Sequence, residues 1–222
     1  MSLLKSKREI AYLSKAAKIT KRIYLEIKKE VKPGVSEREI ADKIKALTKK
    51  EGLQRSFQTI VASGPNGAKP HATLTDRKIR KNDIVVLDFG VVYRGCHSDM
   101  TRTIVLGKIG PLMQKIYSVV KAAQKMAIKK SRAGLKISDF VKCIHDHIRA
   151  RGLGKYMLHS LGHGLGLKVH EAPKLSEKNH GVLKENMVIT IEPGLYVKGR
   201  GGARIEDAIL ITKKGARVLA PC

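Results

Sequence analysis

Ile84-Val-Val-Leu-Asp88-Phe-Gly-Val-Val-Tyr-Arg-Gly95 and Val188-Ile-Thr-Ile-Glu192-Pro-Gly-Leu-Tyr-Val-Lys-Gly199 lie about a hundred residues apart and share one pattern. Each sets an acid in an apolar strand. Each is followed by a second acid on a predicted returning strand, Asp99 in Ser98-Asp-Met-Thr-Arg-Thr-Ile-Val-Leu106 and Glu206 in Arg204-Ile-Glu-Asp-Ala-Ile-Leu-Ile-Thr212. An unpaired buried carboxylate is very costly, so four of them among Val, Ile and Leu require a strong compensating charge. A pair of metal ions is the natural candidate. Residues two apart on a strand share a face, which turns Arg204 and Glu206 together and predicts Glu206 inside and Asp207 outside.

The repeat extends beyond the strands. Val31-Lys-Pro-Gly34-Val35 and Ser131-Arg-Ala-Gly134-Leu135 each introduce a helix, in which Ile40, Ala41 and Ile44 align with Phe140, Val141 and Ile144. Both helices stop at Gly-Leu, with Gly52 and Gly152 suited to a left-handed C-cap. Ser36 followed by Glu39 forms a capping box, and Ser138 is the corresponding candidate cap in the second half. A longer helix of period 3.6 precedes each: Ile10, Leu13, Ala17, Ile23, Ile27 and then Leu112, Ile116, Val119, Ala123. The halves, about 8–107 and 110–219, are predicted to join as one pseudo-symmetric α+β domain. Its hairpins should pair at the centre of a curved, mainly antiparallel sheet, with helices on the outer face and the acids on the inner one.

Composition bounds the rest. The chain has 222 residues and no apolar run long enough to span a bilayer, and Met1-Ser-Leu-Leu-Lys-Ser-Lys-Arg8 lacks the apolar core of a signal peptide. A soluble, cytoplasmic protein that does not bind membranes is expected. Cys96, Cys143 and Cys222 have no Cys-x-x-Cys spacing and read as free thiols. The net charge of +26 would suit a phosphate backbone, but the lysines are spread over helices and there is no Trp and only three Phe. Any nucleic-acid binding is expected to be weak and non-specific.

His159-Ser-Leu-Gly-His163-Gly-Leu-Gly-Leu-Lys-Val-His170-Glu171 is rich in glycine and places three histidines within a short span. Imidazole joins carboxylates around Mn²⁺, Co²⁺, Zn²⁺ or Fe²⁺, and the glycines beside His163 permit close approach. His97, His145, His147 and His180 read as packed or solvated side chains.

Together these segments resemble the pita-bread metallopeptidase family, which includes methionine aminopeptidases and the Xaa-Pro peptidases, aminopeptidase P and prolidase. The matching motifs are Ile60-Val-Ala-Ser-Gly-Pro-Asn-Gly67 with His71-Ala-Thr, Asp88-Phe-Gly through Ser98-Asp99-Met-Thr-Arg-Thr, His159 through His170-Glu, Ile191-Glu192-Pro-Gly, and Arg204-Ile-Glu206-Asp. They extend from about residue 8 to the end of the chain. The resemblance implies a pita-bread fold with a two-metal centre held by Asp88, Asp99, His163, Glu192 and Glu206, with Asp99 and Glu206 bridging. It implies substrate and transition-state contacts from His71 and His170, further substrate-side contacts from His159 and Arg204, and proton transfer by Glu192.

The His159–His170 segment and Arg204 are closer to the Xaa-Pro branch, which implies hydrolysis of the bond between an N-terminal residue and a following proline. Methionine aminopeptidase-like N-terminal processing, and a non-catalytic fold that binds peptide or RNA, are the alternatives. The expected cofactors are two divalent ions, first Mn²⁺, with Co²⁺, Zn²⁺ or Fe²⁺ acceptable. The expected partners are short peptides. A single catalytic domain over 1–222 without a separate N-terminal domain, as a monomer or homodimer, completes the expectation.

Overall fold

Ser6 accepts from the Glu9 amide while the Glu9 carboxylate accepts from the Ser6 amide, and this reciprocal cap starts α1 (Lys7–Glu30). The same box at Ser36 and Glu39 starts α2 (Glu37–Lys50). The computed structural model describes residues 3–221, so Cys222 lies outside the described residues. After α2 come β1 (Gln54–Arg55), β2 (Ile60–Ser63), β3 (Ile84–Phe89), β4 (Val91–Tyr93), β5 (Cys96–His97) and β6 (Met100–Val105). The second half repeats the order: α3 (Pro111–Lys130), α4 (Ile137–Arg149), β7 (Gly162–Gly164), β8 (Glu171–Leu175), β9 (Val188–Ile191), β10 (Gly194–Val197), β11 (Gly201–Arg204), β12 (Asp207–Ile211) and β13 (Ala216–Val218).

Strand order makes the symmetry explicit. β2-β3-β6 in one half matches β7-β9-β12 in the other, and the second ladder is widened by β8 and β13. The pairings are antiparallel throughout. β3 and β9 each stop at or beside an acid, and the chain there leaves for a short separate ribbon, β4–β5 or β10–β11, before returning. Helices cover the outer side. Ile40, Ile44 and Ile23 pack on Leu87 and Phe89, while Ile116, Phe140 and Ile144 pack on Ile189, Ile191 and Ile209. Burial of each such side chain contributes ~1.5–3 kcal/mol, which makes these faces the main support of the sheet.

Three expectations differ in detail. The two ladders do not pair at the centre as one continuous sheet. They meet where the chain breaks between β11 and β12, through Glu206 N–H donating to the Thr101 carbonyl at 3.0 Å and Thr103 Oγ1 donating to the Arg204 carbonyl at 2.7 Å. Ser138 is not a cap: Lys136 occupies the N-cap position, held extended by its bridge to Val182, and the Ile137 amide bonds instead to the Gly181 carbonyl. Asp207 faces away from Glu206 as expected but not into water. Arg102 reaches it at 2.7 Å and Gln124 at 2.5 Å, while Arg102 also donates to the Glu206 carbonyl, so the back of the acid cluster is a buried ion pair.

Gly52 and Gly152 take φ of 70° and 74°, the left-handed C-caps that the sequence required. Cys96 and Cys143 are free thiols. Lys15, Lys18, Lys28, Lys43, Lys49, Lys121 and Lys129 are exposed, in keeping with solvated helix faces. Among the described residues no helix is long and apolar enough to cross a membrane.

Candidate metal centre and substrate cleft

The ends of β3 and β9, the start of β6 and the break before β12 all open onto one side of the sheet, and each delivers an acid there. Asp88, Asp99, Glu192 and Glu206 line a single cavity of about 830 Å³. His163 enters from β7, which runs tightly between β8 and β9. A Cβ on Gly162 would lie 2.1 Å from the Thr190 carbonyl, and one on Gly164 would lie 2.1 Å from that of Ala172, so only glycine fits on either side of this histidine. His71, His159, His170 and Arg204 line the same cavity, so all nine residues singled out in the sequence meet there.

The hydrogen bonds fix what the groups present. His163 Nδ1 bonds to the Gly164 carbonyl at 3.0 Å, and since a carbonyl only accepts, the proton is on Nδ1. Its Nε2 lone pair therefore points at Glu192 Oε1, 3.4 Å away, and Asp99 Oδ2, 3.6 Å away. Burial lowers the His163 pKa to about 4, which leaves no imidazolium proton between these acceptors at neutral pH. Ligand atoms of Asp99, His163 and Glu206 all lie within 4.8 Å of one another. Asp88 Oδ1 and Glu206 Oε1 are buried and, among the described residues, have no hydrogen-bond partner.

The acids strain against each other. Burial, then the neighbouring Glu206, Asp88 and Glu192, holds the Asp99 carboxyl well above the usual range. Burial and Glu206 do the same to Glu192, and burial with Asp88 pushes Glu206 up to about 7. The bare Nε2 lone pair of His163, orphaned buried oxygens and mutually repelling acids are what a bound divalent cation would satisfy. The oxygen-rich donors with one imidazole fit first-row divalent ions.

Arg204 is a buried cation built into the cluster. Burial opposes its charge, but Tyr196, Asp88 and Glu206 outweigh this and keep it protonated. It donates to Asp88 Oδ2 at 2.6 Å, Thr101 Oγ1 at 3.1 Å and Tyr196 Oη at 2.6 Å, and Thr101 Oγ1 in turn donates to Glu206 at 2.7 Å. His159 Nδ1 bonds to the Ser160 carbonyl, so its Nε2 accepts the Tyr196 hydroxyl at 2.8 Å. Burial and Arg204 lower the His159 pKa to about 4, which keeps it neutral.

Tyr196, Thr101 and Lys174, which also lines the cavity, went unmarked in the sequence. Tyr196 had a readable signal, since Glu192, Gly194 and Tyr196 alternate along one strand direction. Lys174 had none. Of the histidines set aside, His145 is part-buried and bonds to Glu177 at 2.6 Å, His97 is part-buried and His180 exposed.

Known proteins resemble this chain over nearly its whole length. The chain is 41% identical over 220 residues to the Xaa-Pro dipeptidase of Pyrococcus furiosus, covering 99% of this chain and 63% of that one. It is 40% identical to an uncharacterized peptidase of Bacillus subtilis, with 99% and 62% covered. The solved prolidase from Pyrococcus furiosus superposes with a TM-score of 0.96 at 41% identity, over 99% of this chain and 66% of that one. An X-Pro aminopeptidase from Thermotoga maritima gives 0.95 at 36% identity, over 99% and 63%. The chain thus spans a little over three fifths of the length of these relatives, and its fold is the prolidase pita-bread fold. The sequence model of metallopeptidase family M24 matches residues 11–213, and with this site at the centre of that span the chain belongs to metallopeptidase family M24, a family that works with divalent metal ions.

Proposed function

We propose that this chain is a dinuclear metal-dependent exopeptidase that hydrolyses the bond between an N-terminal residue and a following proline. The observation that carries the reading is that Asp88, Asp99, His163, Glu192 and Glu206 line one cavity, with atoms of Asp99, His163 and Glu206 all within 4.8 Å of one another and buried oxygens of Asp88 and Glu206 left without a hydrogen bond among the described residues. These five would hold two divalent ions, Mn²⁺ first, with Asp99 and Glu206 shared between them. When bound, the ions supply a water of lowered pKa and polarise the scissile carbonyl.

The chain's own groups do the rest. Glu192 takes the proton of the attacking water and returns it to the leaving amine, a task open to a carboxylate that faces the cavity beside His163. His170, whose ring centroid is 4.3 Å from that of His163, stands with His71 at the cavity wall to donate to the oxygen that gains charge. Arg204, tied to Asp88, Tyr196 and Thr101, sets the position of the acids and, through Tyr196, the orientation of His159 on the substrate side. Lys174, exposed on β8, offers a counter-charge to the carboxylate of a short substrate. The names of the relatives, Xaa-Pro dipeptidase and X-Pro aminopeptidase, support the proline preference.

Hydrolysis of a panel of Xaa-Pro dipeptides, Xaa-Pro-Xaa tripeptides and Met-Ala-Xaa peptides, with Mn²⁺ or Co²⁺ added, tests this. Fastest cleavage of an Xaa-Pro bond is expected. Faster cleavage of Met-Ala-Xaa would assign the chain to methionine aminopeptidase-like processing, and no cleavage with metal bound would make it a peptide-binding protein.

A further inference from the structure

One carboxylate in the interior has no part in the chemistry above. Glu37, in the first turn of α2, is fully buried and does not line the cavity. An ionised carboxylate at such depth needs several donors, and Glu37 has them. Its Oε1 accepts from Ser63 N–H and Ser63 Oγ, both at 2.7 Å, and from Asn66 Nδ2 at 3.1 Å. Its Oε2 accepts from Asn66 Nδ2 at 3.0 Å and from Thr75 Oγ1 at 2.5 Å.

The placement of these donors along the chain gives the network its meaning. Ser63 and Asn66 stand where β2 runs into the Gly64–Ala68 turn, and Thr75 stands where the chain comes back toward β3. Between them the chain makes a loop whose residues Pro70, His71, Ala72 and Thr73 form one wall of the cavity. Residues 72–77 belong to no helix or strand, and the returning limb meets the start of α2 at its end, through the bridge of Ser36 to Lys78. The Glu37 side chain bonds both limbs, and Asn66 Nδ2 also donates directly across to Thr75 Oγ1 at 3.0 Å, while the Arg77 carbonyl accepts from the Glu37 amide at 3.1 Å and Arg38 bonds to Asp76 at 2.6 Å. Arg77 reinforces the neck by donating to Ser63 Oγ at 2.6 Å and to Asp83 Oδ2 at 2.5 Å, and its own amide bonds to Thr75 Oγ1. At the far end the Pro70 carbonyl accepts from Arg204 at 3.2 Å.

We infer that Glu37 is a positioning residue: its buried carboxylate closes the neck of the 63–75 loop and so fixes His71 against the substrate cleft. The inference rests on the peptidase reading for what His71 does there, but the clamp itself can be measured without substrate. Glu37→Gln keeps the size of the side chain and turns one acceptor into a donor facing Asn66 and Thr75, which are donors already.

Hydrogen exchange of metal-loaded wild type and Glu37→Gln should show faster exchange across 66–75, with β3 and β9 as protected as before and metal content unchanged. Peptide kcat/KM should fall between about tenfold and about a hundredfold, the cost of a group displaced by an ångström or so. In a His71→Ala background the same change should add little, because the two losses share one route. Thr75→Val, which removes a single donor, should move exchange in the same direction by less and serves if Glu37→Gln does not fold. Unchanged exchange over 66–75, or losses at Glu37 and His71 that simply multiply, would overturn the inference. A wild type that hydrolyses none of the panel would defeat the peptidase reading, and the exchange measurement would then decide on the clamp alone.

Discussion

Replacing Glu192 by Gln is expected to lower kcat on an Xaa-Pro peptide by about three orders of magnitude or more, within the range that general acid–base groups contribute. The change keeps size, shape and one oxygen, so Oε1 can still face His163 Nε2 at the 3.4 Å now seen. It removes the ability to take a proton. Oε2 lies 3.9 Å from His159 Nδ1, and Thr190 Oγ1 is 3.4 Å from Oε1, so neither neighbour is placed to relieve Glu192 of that task. Metal analysis of the variant should find ions still bound. Turnover within tenfold of wild type would show that another group carries the proton.

Asp99→Ala should lose bound metal, and its metal-free form should be at least as stable as metal-free wild type near neutral pH. The sign follows from the carboxyl's raised pKa. The folded state binds the Asp99 proton more tightly than the unfolded chain does, so ionisation costs stability as pH rises from the unfolded value toward the folded one. Removing the acid removes that cost, together with the repulsion it exerts on Glu206 and Glu192. Wild type recovers the loss only when cations are present: an ion at about a hundred times its dissociation constant adds ~2.7 kcal/mol. Thermal melts with and without Mn²⁺ check both halves, with a large metal-dependent rise in Tm for wild type and little for the variant. Two ions per chain retained by Asp99→Ala would show that Asp99 does not bridge them.

The acids were legible because local rules place them. Asp88 and Glu192 interrupt apolar strands, the internal repeat pairs them with Asp99 and Glu206, and strand alternation turns Glu206 and Arg204 the same way. Helix ends were legible where the cap is a side chain three residues from its partner, as at Ser36 and Glu39. At Ser138 that logic failed because a distant backbone carbonyl, Gly181, had already satisfied the helix start. Groups whose roles depend on contacts across the fold were not legible. Asp207 looked solvent-facing by alternation, yet α3 and β6 bring Gln124 and Arg102 to it. Burial still outweighs these partners and leaves its pKa raised, so the pair reads as a positional lock more than a source of stability. Glu37 went unmarked in the sequence, because its donors lie 26 to 38 residues further on.

The central claim is that Asp88, Asp99, His163, Glu192 and Glu206 enclose two divalent ions. Anomalous diffraction from crystals grown with Mn²⁺ measures this directly. Two peaks, roughly 3.5 to 4 Å apart and in contact with these five side chains, with Asp99 and Glu206 touching both, are expected. A single peak, or peaks that leave any of the five side chains out of contact, would contradict the account.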